Sequence, residues 1–117
     1  PVELGLMQNL EQLLLDGNYL SGNLPGQLGN LTQLTHLSLS SPNIYGSIPY
    51  EIFRLPLSYL SLTFDHTGSI SKAIANLTKL THLALPQMGL TTITEDIANL
   101  TELNYLDLSY NRLRVPI

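Results

Sequence analysis

One leucine pattern, Leu-x-x-Leu-x-Leu, recurs along the whole of this chain of 117 residues. Its last leucine falls at Leu15, Leu39, Leu62, Leu85 and Leu108, so that successive copies are 23 or 24 residues apart. A fixed period of this length, in which every copy carries one Leu-x-Leu unit, is typical of proteins built from stacked structural repeats. The sequence therefore predicts a solenoid in which each repeat forms one coil.

Each Leu-x-Leu unit predicts a strand of roughly three residues, because alternate side chains of a strand point to opposite faces. Leu37 and Leu39 then point into the core, while His36, Ser38 and Ser40 face solvent. Strands of successive coils lie side by side, and the apolar residues between them mark the return path of each coil. We expect a right-handed α/β solenoid of about five coils, with a concave parallel sheet and short helical or irregular segments on the convex side.

Two segments, NYLSGNLPGQLGNL and NIYGSIPYEIFRL, carry a more particular resemblance. With the leucine period, they resemble leucine-rich-repeat proteins, partly of the plant-specific subclass found in receptor-kinase ectodomains, receptor-like proteins and polygalacturonase-inhibiting proteins. The resemblance implies a second short strand in these repeats and an extracellular recognition domain of receptor or inhibitor type. Repeat four, LTTITEDIANL, resembles the plainer bacterial type instead. The matching glycines and prolines are Gly22, Gly46, Gly68, Pro25 and Pro49.

Members of this family carry an asparagine three residues past the strand, and its side chain hydrogen-bonds the neighbouring turns as a ladder. Asn18 and Asn111 match that position, whereas the middle repeats have Pro42, Asp65 and Met88 there. Because buried backbone groups still need partners, we expect an irregular stretch or ordered water in the middle of this sheet edge.

Residues 1–117 are predicted to form a single leucine-rich-repeat domain. The pattern begins and ends partway round a coil, which favours a segment of a longer solenoid or an end-to-end homo-oligomer. The formal charge of -4, without a cluster of basic residues, argues against nucleic acid as a partner. No apolar run is long enough to insert into a membrane, and the chain has no cysteine for disulfides or thiolate chemistry. No cofactor is predicted.

An enzymatic interpretation would begin at the histidines. Asp65, His66 and Ser69 provide the residue types of a nucleophilic triad, but Asp, Gly and Ser are also ordinary turn residues. His36 and His82 occupy corresponding positions two strands apart, which leaves roughly 10 Å between them, too far for one zinc ion. We therefore expect no enzyme activity and no metal site.

The outward strand positions favour binding instead. One column of the concave face is rich in rings, and exposed Tyr and His side chains suit recognition surfaces. The alternative is that these residues simply favour half-exposed strands. The predicted ligand-binding residues are His36, Tyr59, His82 and Tyr105 in this column, with Phe64, Asp107 and Tyr110 beside it.

The motif Asn-Leu-Thr occurs at Asn30, Asn76 and Asn99 and predicts glycosylation sites on or beside the back of the solenoid. The alternative is that the Asn-Leu-Thr sequence merely forms the turn. We predict a protein- or peptide-binding module that acts outside the cell or at its surface; a cytoplasmic or bacterial secreted protein is the alternative location. A structural or self-associating segment is the alternative function, and carbohydrate or ice-surface binding is less favoured.

Overall fold

The computed structural model describes residues 1–116, in which short strands alternate with turns of 3-10 helix. Each coil contributes one strand to the concave sheet and one 3-10 helix, and one coil adds a second short strand. The strands are β1 (Gln12–Leu14), β2 (Ser21–Gly22), β3 (His36–Gly46), β4 (Tyr59–His66), β5 (His82–Ala84) and β6 (Tyr105–Asp107). The 3-10 helices are η1 (Val2–Leu6), η2 (Gly26–Asn30), η3 (Tyr50–Arg54), η4 (Lys72–Asn76) and η5 (Glu95–Asn99).

The concave sheet is parallel, with the strand order β1-β3-β4-β5-β6. Its register places residues of the same repeat position side by side, so that Tyr59 is the partner of both His36 and His82. His82 is in turn the partner of Tyr105. The predicted solenoid and its strand register are confirmed.

The core is a column of leucines between the sheet and the 3-10 helices. The central leucines of the inner strands, Leu37, Leu60 and Leu83, are at most 1% exposed. Each is paired in register with the equivalent leucine of the coil before it and of the coil after it, so neighbouring repeats share one core. Among residues 1–116, no helix has the length and apolar character needed to span a bilayer.

Strands β3 and β4 are longer than the three residues that the pattern predicted. The register between them shifts between Ser40 and Tyr45, where the chain leaves the concave sheet. Beyond the shift, β2 pairs with Asn43 and Ile44, and Tyr45 and Gly46 pair with the end of β4. These pairs form a second, lateral sheet. It contains the second short strand that the plant-type segments implied.

The coils differ in how the chain leaves the concave sheet. In the first, fourth and fifth repeats one residue adopts a left-handed conformation there: Gly17, Gln87 and Tyr110, with φ of 72°, 54° and 57°. In the second and third repeats the corresponding residues, Ser41 and Phe64, remain in extended strands.

The extended conformation of β4 corrects the predicted exposure of Phe64. Side chains alternate along a strand, so Phe64 has the same orientation as Leu60 and Leu62 and enters the core, where it is 3% exposed. It does not lie on the concave surface. His66 is buried in the same way, although its position suggested a solvent-facing turn.

The middle of the sheet edge, where the turns lack the asparagine, is irregular, as expected, because the register shifts between Ser40 and Tyr45. The lateral sheet pairs much of the backbone of these turns, and the Ser41 hydroxyl donates to the carbonyl oxygen of Leu20 at 2.6 Å. The Phe64 amide donates to the sulfur of Met88 at 3.3 Å. Protein groups therefore partner several of the polar groups in these turns.

Candidate ligand-binding face

Four aromatic side chains stack in a row across the concave sheet, one from each of β3, β4, β5 and β6. We call His36, Tyr59, His82 and Tyr105 the ring ladder. The ring centroids of His36 and Tyr59 are 5.6 Å apart, and those of Tyr59 and His82 are 4.2 Å apart. His82 and Tyr105 are 4.1 Å apart, with an interplanar angle of only 2°. The ring column predicted from the sequence is thus one continuous stack.

The stack follows from the period of the repeat. Neighbouring strands lie about 4.8 Å apart, which is close to the favourable separation of stacked rings. Rings at the same repeat position therefore meet face to face without distortion of the backbone. Because the inner rings cover each other's faces, a ligand approaching the sheet meets ring edges, where the hydroxyl of tyrosine and the nitrogens of histidine lie.

Few of these polar edge groups are used within the protein. A ring nitrogen of His36 forms a hydrogen bond with the Thr35 hydroxyl at 2.9 Å. Within residues 1–116, no hydrogen bond engages the Tyr59 hydroxyl, the His82 ring or the Tyr105 hydroxyl. The edge of the ladder can therefore donate to and accept from a bound molecule.

Two carboxylates flank the ladder, Asp107 on β6 and Asp16 in the turn after β1. Asp16 accepts a short hydrogen bond from the Ser38 hydroxyl, which orders both side chains. Asp107 accepts from the Ser109 amide at 2.9 Å. Hydrogen bonds from the side chain and backbone of Ser109, helped by the nearby His82, lower the pKa of Asp107. Its carboxylate is charged at neutral pH and gives the face negative character.

Positive charge lies elsewhere on the molecule. None of the basic side chains belongs to a strand, since Arg54 and Lys72 are in 3-10 helices and Lys79 precedes β5. Arg112 and Arg114 follow β6. The concave face therefore presents rings, hydroxyls and carboxylates.

The remaining predicted residues are spread over several surfaces. Tyr110 is 82% exposed in the turn after β6, outside the ladder. The glycosylation candidates Asn30, Asn76 and Asn99 are exposed at the last residues of η2, η4 and η5, on the helical side of each coil.

The parts of the supposed triad do not converge. Asp65 is exposed and His66 is buried, since they are consecutive residues of β4 and face opposite sides. Within residues 1–116 there is also no group of three or more His, Cys, Asp or Glu residues that could hold a metal ion.

The repeat architecture defines a solenoid with a row of rings on its concave face, and comparison with known proteins gives its family. The family model of the Leucine Rich Repeat matches residues 9–31. The chain superposes on the Arabidopsis receptor kinase HAESA ectodomain, solved with an IDA peptide hormone ligand, with a TM-score of 0.89 and 34% identity. That match covers 95% of this chain and 19% of the HAESA chain. This protein is a leucine-rich-repeat protein, partly of the plant-specific type.

Other solved structures show the same similarity. The ectodomain of the Arabidopsis receptor kinase SOBIR1 has a TM-score of 0.83 and 26% identity, over 97% of this chain and 62% of SOBIR1. A plant ice-binding protein has a TM-score of 0.74 and 31% identity, over 85% of this chain and 34% of that protein. No curated protein matches the sequence significantly. The chain thus spans about a fifth of the HAESA ectodomain and less than two thirds of SOBIR1.

Proposed function

We propose that this chain is a protein- or peptide-binding module of extracellular receptor or inhibitor type, and that its concave face makes the contact. The ring ladder is the observation that carries the proposal. It combines partly exposed rings and free hydrogen-bonding groups on a rigid sheet, which are the properties of interface hot spots. The similarity to a receptor ectodomain solved with a peptide hormone supports the same class of ligand.

The dimensions of the ladder suit an extended peptide. Its rings span about 14 Å, which corresponds to roughly four residues of an extended chain at about 3.3 Å each. Such a peptide, lying across the strands, would place polar backbone groups along the ring edges. The alternative predicted from the sequence, a structural or self-associating segment, stays a prediction.

The proposal can be tested by selecting binders from a library of random linear peptides displayed on phage. The selected peptides are then titrated against the purified chain by isothermal calorimetry. Replacing Tyr59 and Tyr105 with alanine should weaken binding at least about thirtyfold, because even one hot-spot aromatic residue contributes about 2 kcal/mol or more. The matched control replaces two exposed tyrosines outside the sheet, Tyr19 and Tyr50.

The control variant should bind as the wild type does, and circular dichroism should show that both variants remain folded. Failure to select any peptide would contradict peptide binding at the ring ladder. Equal losses of affinity in the two double variants would mean that the ring ladder is not the binding site. A ladder variant that binds normally would have the same consequence. Peptides whose binding is unaffected by either change would place the contact on another face.

A further inference from the structure

A surface hollow of about 330 Å³ lies where β3 and β4 leave the concave sheet. Its volume is at the small end of the range for ligand pockets, ~300–1,000 Å³. Residues of three successive coils contribute to it. The main lining residues are Ser40, Pro42, Thr63, Phe64, Asp65 and Gln87.

The hollow exists because neighbouring coils leave the sheet by different routes. On one side, the register shift after Ser40 moves the chain of β3 away from β4. On the other side, the left-handed conformation of Gln87 turns the fourth coil out of the plane that β4 continues to follow. The space between these routes is lined by residues of three coils.

The lining has the chemistry of a cation site. Asp65 is its only ionisable residue, is exposed, and forms no salt bridge or side-chain hydrogen bond within residues 1–116. Ser40, Thr63 and Gln87 supply further oxygen acceptors around it. Pro42, which is exposed, contributes apolar surface against which the aliphatic stem of a long side chain can pack.

Arginine and lysine side chains combine a charged, hydrogen-donating head with such a stem. The protein supplies no cation of its own to the hollow, since none of its basic residues is in the lining. Its net charge of -4 also favours the approach of a positively charged partner.

We propose that the hollow binds a guanidinium or ammonium side chain of the peptide that lies across the ring ladder. This inference rests on the proposed function and adds the class of ligand, a basic peptide. Ser40 and Thr63 are four residues beyond His36 and Tyr59 on the same strands and the same face. That separation is about 13 Å along the strands, at right angles to the ladder, so a peptide that crosses the ladder and then turns to follow β3 and β4 reaches both sites.

The experiment uses the full chain labelled with ¹⁵N and follows its amide resonances by NMR at low ionic strength. The probes are N-acetyl-arginine amide and N-acetyl-lysine amide, with N-acetyl-citrulline amide as the neutral isostere of arginine. Saturable shifts of the Thr63, Asp65 and Gln87 amides with either cation, and none with citrulline, support the proposal. A larger response to arginine than to lysine assigns the site to guanidinium.

Two variants, each of which removes one negative charge, complete the test. Asp65→Asn should abolish the shifts, whereas Glu102→Gln, which removes an exposed carboxylate before β6, should leave them unchanged. Equal responses to arginine and citrulline, or shifts that survive in Asp65→Asn, overturn the proposal. Because these probes do not depend on a selected peptide, the hollow can fail while peptide binding at the ring ladder stands, and the reverse holds as well.

Discussion

The close approach of η2 and η3 on the convex side gives a sharp test of how tightly the coils stack. Gly29, in η2, faces Glu51 of the next coil. A Cβ atom added at Gly29 would lie 2.5 Å from the Cβ atom of Glu51 and 3.1 Å from its carbonyl oxygen. Both atoms belong to the backbone or its immediate attachment, so neither can swing aside.

The expected cost of Gly29→Ala follows from these distances. Carbon atoms in contact prefer separations of about 3.5–4.0 Å, so the two coils would have to part by about 1 Å. Overpacking of this kind costs about 1–3 kcal/mol. Without the contact, the same substitution would stabilise the helical conformation by roughly 0.5–1 kcal/mol. The sign of the change therefore reports on the contact itself.

Gly26 offers a matched control in the same 3-10 helix and against the same residue. A Cβ atom there would meet only the carboxylate end of Glu51, with its nearest atoms at 3.1 Å. That end is flexible and can rotate into solvent. We expect Gly26→Ala to leave the free energy of unfolding unchanged or slightly raised.

Urea denaturation monitored by circular dichroism measures both variants against the wild type, and the m-value shows whether the transition remains comparable. Gly29→Ala should lower the midpoint and Gly26→Ala should not. If Gly29→Ala is as stable as the wild type or more so, the coils lie farther apart than described. The reasoning from the stack would then be refuted.

Three further predictions concern the core, a buried histidine and an asparagine. Leu60→Ala should lower the free energy of unfolding by about 2–5 kcal/mol, because Leu60 is fully buried. Tyr59→Ala, on the opposite face of β4, should lower it much less. If urea denaturation shows the larger loss for Tyr59→Ala, the assigned strand register is wrong. Burial lowers the pKa of His66, so the folded state disfavours the imidazolium form. The free energy of unfolding should therefore be highest above the ordinary histidine pKa of about 6.5 and decline as the pH falls through the lowered pKa of His66. Melting curves of His66→Gln should show a weaker decline with falling pH. Parallel pH profiles for the variant and the wild type would contradict the assignment of this decline to His66. Asn111 accepts from the Met88 and Leu90 amides and donates to Leu85 and Leu108, so Asn111→Ala should cost about 1–3 kcal/mol. Asn18→Ala, which removes only two weak and exposed hydrogen bonds, is its control, and equal losses in thermal melts would show that the bonds of Asn111 are unimportant.

Features that depend on the period of the repeat could be predicted from the sequence. The burial of Leu37, Leu60 and Leu83 and the ring ladder both arise because equivalent residues of successive coils become neighbours. A parallel sheet in register turns a spacing of 23 residues into a lateral distance of one strand, about 4.8 Å. Neither feature requires knowledge of how the turns are built.

The turns themselves could not be predicted, because residue type does not decide them locally. Gln87 and Tyr110 adopt left-handed conformations that favour glycine, whereas Ser41 remains in an extended strand. The fourth turn is stabilised from outside its own coil, since the amides of Met88 and Leu90 donate to Asn111 of the next repeat. A pattern read one repeat at a time misses such a contact.

This dependence on the next coil explains why the hollow at Asp65 was missed although the ring ladder was found. The third repeat is followed by Met88 rather than by an asparagine, and the sulfur of Met88 accepts the amide of Phe64. With no amide side chain there to hold a left-handed turn, β4 continues as a strand and pairs with the lateral sheet. Asp65 is thereby directed to the surface beside the turn at Gln87, which the asparagine of the fifth repeat helps to form. Departures from the repeat, more than the repeat itself, thus determine where this solenoid differs chemically from others of its family.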